Sequence, residues 1–193
     1  MPRVSKDPRT LKKEIMEATI KVFNDKGLKF TMDDIAKECR ISKKTLYLIF
    51  DDKDRLFMAM VDYVFDAIKA SEAGVLNDES LSTLEKIKRI MSVMPEGYHD
   101  IDFGQLYSLR DKYPTTYRQV EERLETGWET TISLIEQGIE EGVIRPVSIP
   151  LVKMMMEASL EQFFQRDILI KNKLSYTDAL NQVVDILVNG ILA

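Results

Sequence analysis

Apolar residues recur three and four positions apart along nearly the whole chain, and no period-two alternation of β-branched residues lasts long enough to make a strand. That spacing confines the chain to packed helices. The clearest stripe is Leu11, Ile15, Ala18, Thr19, Val22 and Phe23, which predicts a first helix from about Leu11 to Lys26, capped by Thr10 and stopped at Gly27. Short helices over about 32–39 and 43–50 follow, then a long one over 53–72 that Gly74 breaks. Further helices are expected over about 79–93 and 101–111, from Pro114 to Glu141, from Leu151 to Lys171 and from Tyr176 to Leu192. With only 8 glycines in 193 residues, the connections are short. The expected fold is all-α, about nine helices, with a head over residues 1–52 and a helical body over residues 53–193.

Charge divides along the same line. Residues 1–56 hold 14 Lys/Arg against 10 Asp/Glu, and the rest holds 13 against 22, so a basic head sits on an acidic body. Such a head suits a polyanion, although an imbalance of this size also arises by chance. One cysteine, Cys39, and one histidine, His99, leave no Cys/His zinc site, no internal disulfide and no Ser/His/Asp or Cys/His nucleophile, and no glycine-rich phosphate loop is present. The acidic pairs Glu121-Glu122 and Glu140-Glu141 read as solvated helix faces, so neither an enzyme nor a bound cofactor is expected. No apolar run approaches the ~18 residues of a membrane helix, and the basic start MPRVSKDPRT is followed by no signal-type apolar stretch; the expected location is cytoplasmic.

Residues 31–53 carry the sharpest functional signal, TMDDIAKECRISKKTLYLIFDDK. Thr31 with Asp34 is a helix-start signature, and Ser42 is another. Ile35 and Ala36 are apolar mid-helix positions, Ala36 small enough for a close crossing, and Ile41 can plug the space between the two helices. Leu46 and Phe50, four apart, form the inner stripe of the second helix. Lys43, Lys44 and Tyr47 then share the outer face. Two cations and a phenol on a short capped helix suit a major groove, where lysine reaches guanine O6/N7 or a phosphate. Lys53, opening the next helix, is placed for a phosphate contact. The plainer alternative is an exposed helix with solvated lysines.

Residues 10–56 resemble the DNA-binding domain of the TetR/AcrR regulators. The matching stretches are Ile15-Met16-Glu17-Ala18, Val22-Phe23, Gly27, Thr31 to Ala36, Ile41-Ser42, Thr45-Leu46-Tyr47, Phe50, Lys53-Asp54 and Leu56. The resemblance covers about a quarter of the chain. It implies a three-helix helix-turn-helix head for an operator in double-stranded DNA, a body that binds a small-molecule effector, and a homodimer built mainly on the last two helices. By the same resemblance Thr31 and Ser42 match phosphate-contacting helix starts, Lys43, Lys44 and Thr45 match groove-facing positions, and Tyr47 and Lys53 match backbone contacts. Two positions depart from the pattern. Arg40 stands where the family usually has a glycine at φ > 0, which costs another residue roughly 1 kcal/mol. Ile49 replaces a frequent histidine or tyrosine, and is expected to pack inward; an exposed Leu48 would reach a thymine methyl.

Nothing in the body names a ligand. Its aromatics and methionines suit an apolar or aromatic compound, with Phe103, Tyr107 and Trp128 as candidate lining, although core packing explains each residue singly. The helix from Leu151 is apolar nearly all round and the last helix carries a second stripe. Met155, Phe163, Val184, Leu187 and Ile191 are the candidate dimer contacts, against the alternative of a deep monomer core. The function expected is a ligand-responsive repressor released from a palindromic operator. The alternative is a helical ligand-binding or interaction module whose DNA binding is weak or lost.

Overall fold

The computed structural model describes residues 7–95 and 109–193, and among these it contains helices and no strand beyond one isolated bridge between Ile144 and Leu192. The order is α1 Pro8–Lys26, a 3-10 turn Gly27–Lys29, α2 Met32–Glu38, α3 Lys43–Tyr47, α4 Lys53–Leu76, α5 Thr83–Met91, α6 Leu109–Lys112, α7 Pro114–Glu125, α8 Glu129–Glu140, α9 Ile149–Gln165, α10 Ile168–Asn172 and α11 Tyr176–Ile191. The chain folds as two compact units, one up to Tyr63 and one from Val64, so the first turns of α4 pack with the head.

In the head, α1 buries Ile15, Met16, Thr19, Ile20, Val22 and Phe23. Leu28, Phe30, Ile35, Leu46, Leu56 and Phe57 are buried in the same unit. Phe57 from α4 is the hub: its ring centroid lies 5.7 Å from that of Phe23 and 5.7 Å from that of Phe30, the latter edge-on. Removing such a buried ring costs about 3–5 kcal/mol, so the start of α4 is part of the head's core.

In the body, one apolar core joins Ile87, Ile90 and Met91 of α5 to Leu134 and Ile135 of α8, Val152, Met156, Leu160 and Phe163 of α9, and Leu180, Val184, Val188 and Ile191 of α11. Gly138 lets the α8–α9 connection return closely: a Cβ there would sit 2.8 Å from Ile144 Cγ1. The Arg145 guanidinium donates to the Gly190 carbonyl at 2.9 and 3.2 Å and closes the end of α11. Beside α5, the Thr83 hydroxyl and the Gln137 amide both donate to Glu141, and these bonds hold its carboxyl below the usual range.

Several boundaries differ from the sequence expectation. α1 starts at Pro8, since proline is at ease in a first turn, and Thr10 lies inside the helix. α4 runs through Gly74 to Leu76 because one exposed glycine costs only about 1 kcal/mol. The helix expected from Pro114 to Glu141 is two, broken where Thr126 is extended and Gly127 takes φ +78°. Side chains complete that break: the Trp128 indole N–H donates to the Leu124 carbonyl at 2.8 Å, Lys153 to that of Glu125 at 3.2 Å and Lys69 to that of Gly127 at 2.6 Å. The helix expected to reach Lys171 likewise ends at Gln165, and α10 follows. Of the helix expected over 101–111, residues 101–108 lie outside the described part of the chain.

Candidate nucleic-acid interface

α2 begins with a complete capping box. The Asp34 amide donates to Thr31 Oγ1 at 3.2 Å while the Thr31 amide and hydroxyl donate to Asp34 Oδ2 at 2.9 and 2.7 Å. Lys26 adds an ammonium at 2.6 Å, and its hydrogen bond, with those of Thr31, lowers the Asp34 pKa to about 2. The end of α2 is as well defined as its start. The Arg40 amide donates to the Lys37 carbonyl at 3.1 Å and the Ile41 amide to that of Ala36 at 3.0 Å. That pair of bonds is a Schellman turn, whose outer residue must be left-handed. Arg40 is that residue, at φ +55°. The turn therefore keeps the geometry that glycine would give it, and the arginine accepts the strain.

The turn delivers Ser42, whose hydroxyl accepts from the Thr45 amide at 3.0 Å and opens α3. Ser42 Oγ and Thr45 Oγ1 also share one hydrogen bond at 2.8 Å, which leaves one hydroxyl proton of the pair for an outside acceptor. Leu46 is wholly buried and Phe50 nearly so, and together they seat α3 against the head. Lys43, Lys44, Tyr47 and Leu48 are all exposed. Lys43 does not stand free, because its ammonium lies 3.0 Å from Asp33 Oδ1 on α2. Lys44 meets no carboxylate among the described residues. Of the two lysines it is the one whose charge is unspent.

The structure distributes the other residues singled out in the sequence as follows. Thr31 uses its hydroxyl in the capping box. Lys53 turns its ammonium inward, donating to the Leu28 carbonyl at 2.9 Å and lying 4.1 Å over the Phe30 ring, so a phosphate must compete with both. Sequence alone showed a cation at a helix start and not the carbonyl waiting behind it. Ile49 does not pack inward: Leu46 and Phe50 fill the slot beneath α3, and Ile49 remains 37% exposed beside them. Asp33, which governs Lys43, was missed; it stands in the first turn of α2, ten residues before the lysine it meets.

In the body, Phe103, Tyr107 and His99 lie outside the described residues. Trp128 is half-buried, with its indole N–H already spent on Leu124. A surface groove of about 490 Å³ is lined by Ile132, Glu136, Val147, Ile149, Pro150 and Lys153. Of the candidate dimer contacts, Phe163, Val184 and Ile191 are buried in the protomer's own core, Leu187 is half-buried and Met155 is 52% exposed. The large apolar side chains that α9 and α11 leave in solvent are Leu151, Met154, Met155 and Ile186. Among the described residues no helix is long and apolar enough to cross a membrane.

Comparison with known proteins agrees with this geometry. Residues 15–60 match the family described as bacterial regulatory proteins, tetR family. The HTH-type transcriptional regulator YvaF of Bacillus subtilis is 28% identical over 181 residues, a match spanning 94% of this chain and 95% of that protein. A TetR-family transcriptional regulator from Cytophaga hutchinsonii superimposes with a TM-score of 0.71 at 22% identity, over 100% of this chain and 99% of that one. The transcriptional regulator FadR from Bacillus subtilis, solved in complex with stearoyl-CoA, superimposes with a TM-score of 0.62 at 18% identity, over 93% of this chain and 98% of that one.

Proposed function

We propose that the chain is a DNA-binding transcriptional regulator of the TetR family, and that it acts as a homodimeric repressor that leaves a near-palindromic operator when a small apolar or aromatic effector occupies its body. The observation that carries the DNA half is the geometry of α2, turn and α3: two capped helices, a complete Schellman turn and an outward face on which Lys44 meets no carboxylate among the described residues. A helix of this kind fits a major groove, and two copies would read successive grooves about 34–36 Å apart. The exposed side chains Leu151, Met154, Met155 and Ile186 supply an apolar surface for a second copy, in place of the buried Phe163, Val184 and Ile191. Support for an acyl-type effector comes from the stearoyl-CoA complex of the FadR structure, which shares the fold. An effector releases DNA only by its differential affinity for the two states.

The test is a mobility shift with a duplex recovered by selection from a randomised pool. Binding weakens steeply as salt rises, the logarithm of affinity falling by about 0.9 per phosphate neutralised. Lys44→Ala loses operator affinity while its melting temperature holds. Stearoyl-CoA, added at micromolar concentration, releases the duplex if the effector is acyl-type. Binding that is absent, or indifferent to salt, overturns the reading.

A further inference from the structure

We propose that Leu48 reads a thymine methyl group, so that the half-site recognised by this protein carries a thymine one or two base pairs from the base or phosphate met by Lys44. The inference rests on the DNA-binding reading above and adds to it a residue that determines sequence. Leu48 is 78% exposed, more than any other large apolar side chain described in the protein. A single exposed leucine is ordinary. This one is flanked by Tyr47 and Ile49, also exposed at 46% and 37%, so three consecutive apolar side chains stand in solvent at the end of α3. The interior slots at that helix are already filled by Leu46 and Phe50, at 0% and 6% exposure, so nothing inside the head waits for Leu48.

Its place on the helix identifies the partner. The Leu48 amide donates to the Lys44 carbonyl at 3.1 Å, which continues the helical pattern past Tyr47 and sets the two side chains one turn apart on the same face. Four residues of helix advance about 6 Å, close to two steps of 3.4 Å between base pairs. In the major groove the only apolar group on a base edge is the thymine C5 methyl. A lysine that meets guanine O6/N7 or a phosphate, followed one turn on by a leucine that meets a methyl, makes a two-point reader. The same apolar side chain opposite a cytosine would bury the groove-facing N–H of its N4 amino group without an acceptor.

The experiment replaces thymine by deoxyuridine, one position at a time, in the selected operator duplex. Deoxyuridine keeps every hydrogen-bonding atom and deletes only the methyl group. Wild-type protein should bind about three- to five-fold more weakly at one thymine in each half-site, the worth of one buried methyl. Leu48→Ala should bind the unmodified duplex more weakly by a comparable factor and should be indifferent to deoxyuridine at that same position. Leu48→Met should restore part of the sensitivity. Three results overturn the proposal while leaving DNA binding intact: no thymine is sensitive, Leu48→Ala stays as sensitive as wild type, or Leu48→Ala changes the oligomeric state of the free protein in sedimentation, which assigns the side chain to a protein contact. Failure of the selection to enrich any sequence overturns the DNA-binding reading itself, and is distinguishable from all three.

Discussion

The Ile41 amide donates to the Ala36 carbonyl at 3.0 Å across a turn in which Arg40 is held at φ +55°. The bond is the outer one of a Schellman pair, and it fixes the angle at which α3 leaves α2. Its cost falls on Arg40, because the left-handed region costs a non-glycine residue about 1–2 kcal/mol. Glycine removes that strain but adds freedom to the unfolded chain. Arg40→Gly is therefore expected to raise the melting temperature by about 2–4 °C, or leave it unchanged. Calorimetry of Arg40→Gly beside Arg40→Ala separates strain from charge: only the glycine relieves the turn, whereas both lose the cation. A clear fall in melting temperature for Arg40→Gly would show that the guanidinium does more for the head than the strain takes away.

Asp33 and Lys43 form an exposed pair, with side chains 47% and 57% accessible. Such a pair contributes well under 1 kcal/mol to the fold. Its effect on a polyanion is larger, since the carboxylate both occupies Lys43 and repels phosphate. Asp33→Asn is expected to strengthen operator binding several-fold at low salt, and to steepen the salt dependence by up to one phosphate contact. The melting temperature should drop slightly, because an acid is lost from the first turn of α2. Fluorescence anisotropy across a salt series reads both. It should also rank Lys44→Ala as more damaging than Lys43→Ala. Equal losses from the two lysines would mean that the Asp33 pair dissolves at no cost when DNA arrives.

Asp34 ties acid stability to the start of α2. Its folded pKa is lowered to about 2, chiefly by the Lys26 hydrogen bond and then by those from Thr31, whereas an unfolded aspartate titrates near 3.9. A depressed carboxyl stabilises the fold above its unfolded pKa and loses that contribution as pH falls through its folded value. Wild type should thus exceed Asp34→Asn by about 1 kcal/mol at neutral pH, the usual worth of a cap. The difference should narrow between pH 5 and 2. Urea midpoints of the two proteins at matched pH values test this. A difference that stays constant to pH 2 would assign the effect to shape rather than to charge.

The features that could be read in advance are those written locally. Thr31 with Asp34, and Ser42 before Thr45, announce their helices because a cap uses only neighbours in the chain. The 15–23 stripe of α1 is legible for the same reason. The break after Glu125 was not, because it depends on distant groups: Lys69 lies 58 residues from the Gly127 carbonyl it meets, and Lys153 lies 28 from that of Glu125. Without those ammonium groups, Thr126 and Gly127 read as mid-helix residues. The inward contacts of Lys53 were illegible for the same reason, since Leu28 and Phe30 meet its ammonium from a segment more than 20 residues earlier. Phe163, Val184 and Ile191 belong to an apolar stripe whichever neighbour covers it, and the pattern cannot say whether that neighbour is the same chain or another.

The break between α7 and α8 makes a further prediction that compares two glycines. Gly127 and Gly142 both lie in the left-handed region, at φ +78° and +73°. A Cβ on Gly142 meets nothing within 4 Å, so Gly142→Ala carries backbone strain alone, about 1–2 kcal/mol. A Cβ on Gly127 would lie 2.8 Å from Lys69 Cε and 2.9 Å from its Nζ. The lysine tip is flexible and can swing away, but in doing so it gives up the Gly127 carbonyl and its seat beside Glu72, 2.7 Å distant. Gly127→Ala should therefore destabilise the protein by about 1 kcal/mol more than Gly142→Ala, the worth of one hydrogen bond to a charged group less what water returns. Adding Lys69→Met to each should erase the difference, because the methionine has no ammonium to lose. Denaturant titration of the four proteins decides it, and equal midpoints for the two single glycine variants would mean that the Lys69 bond contributes nothing to holding the end of α7.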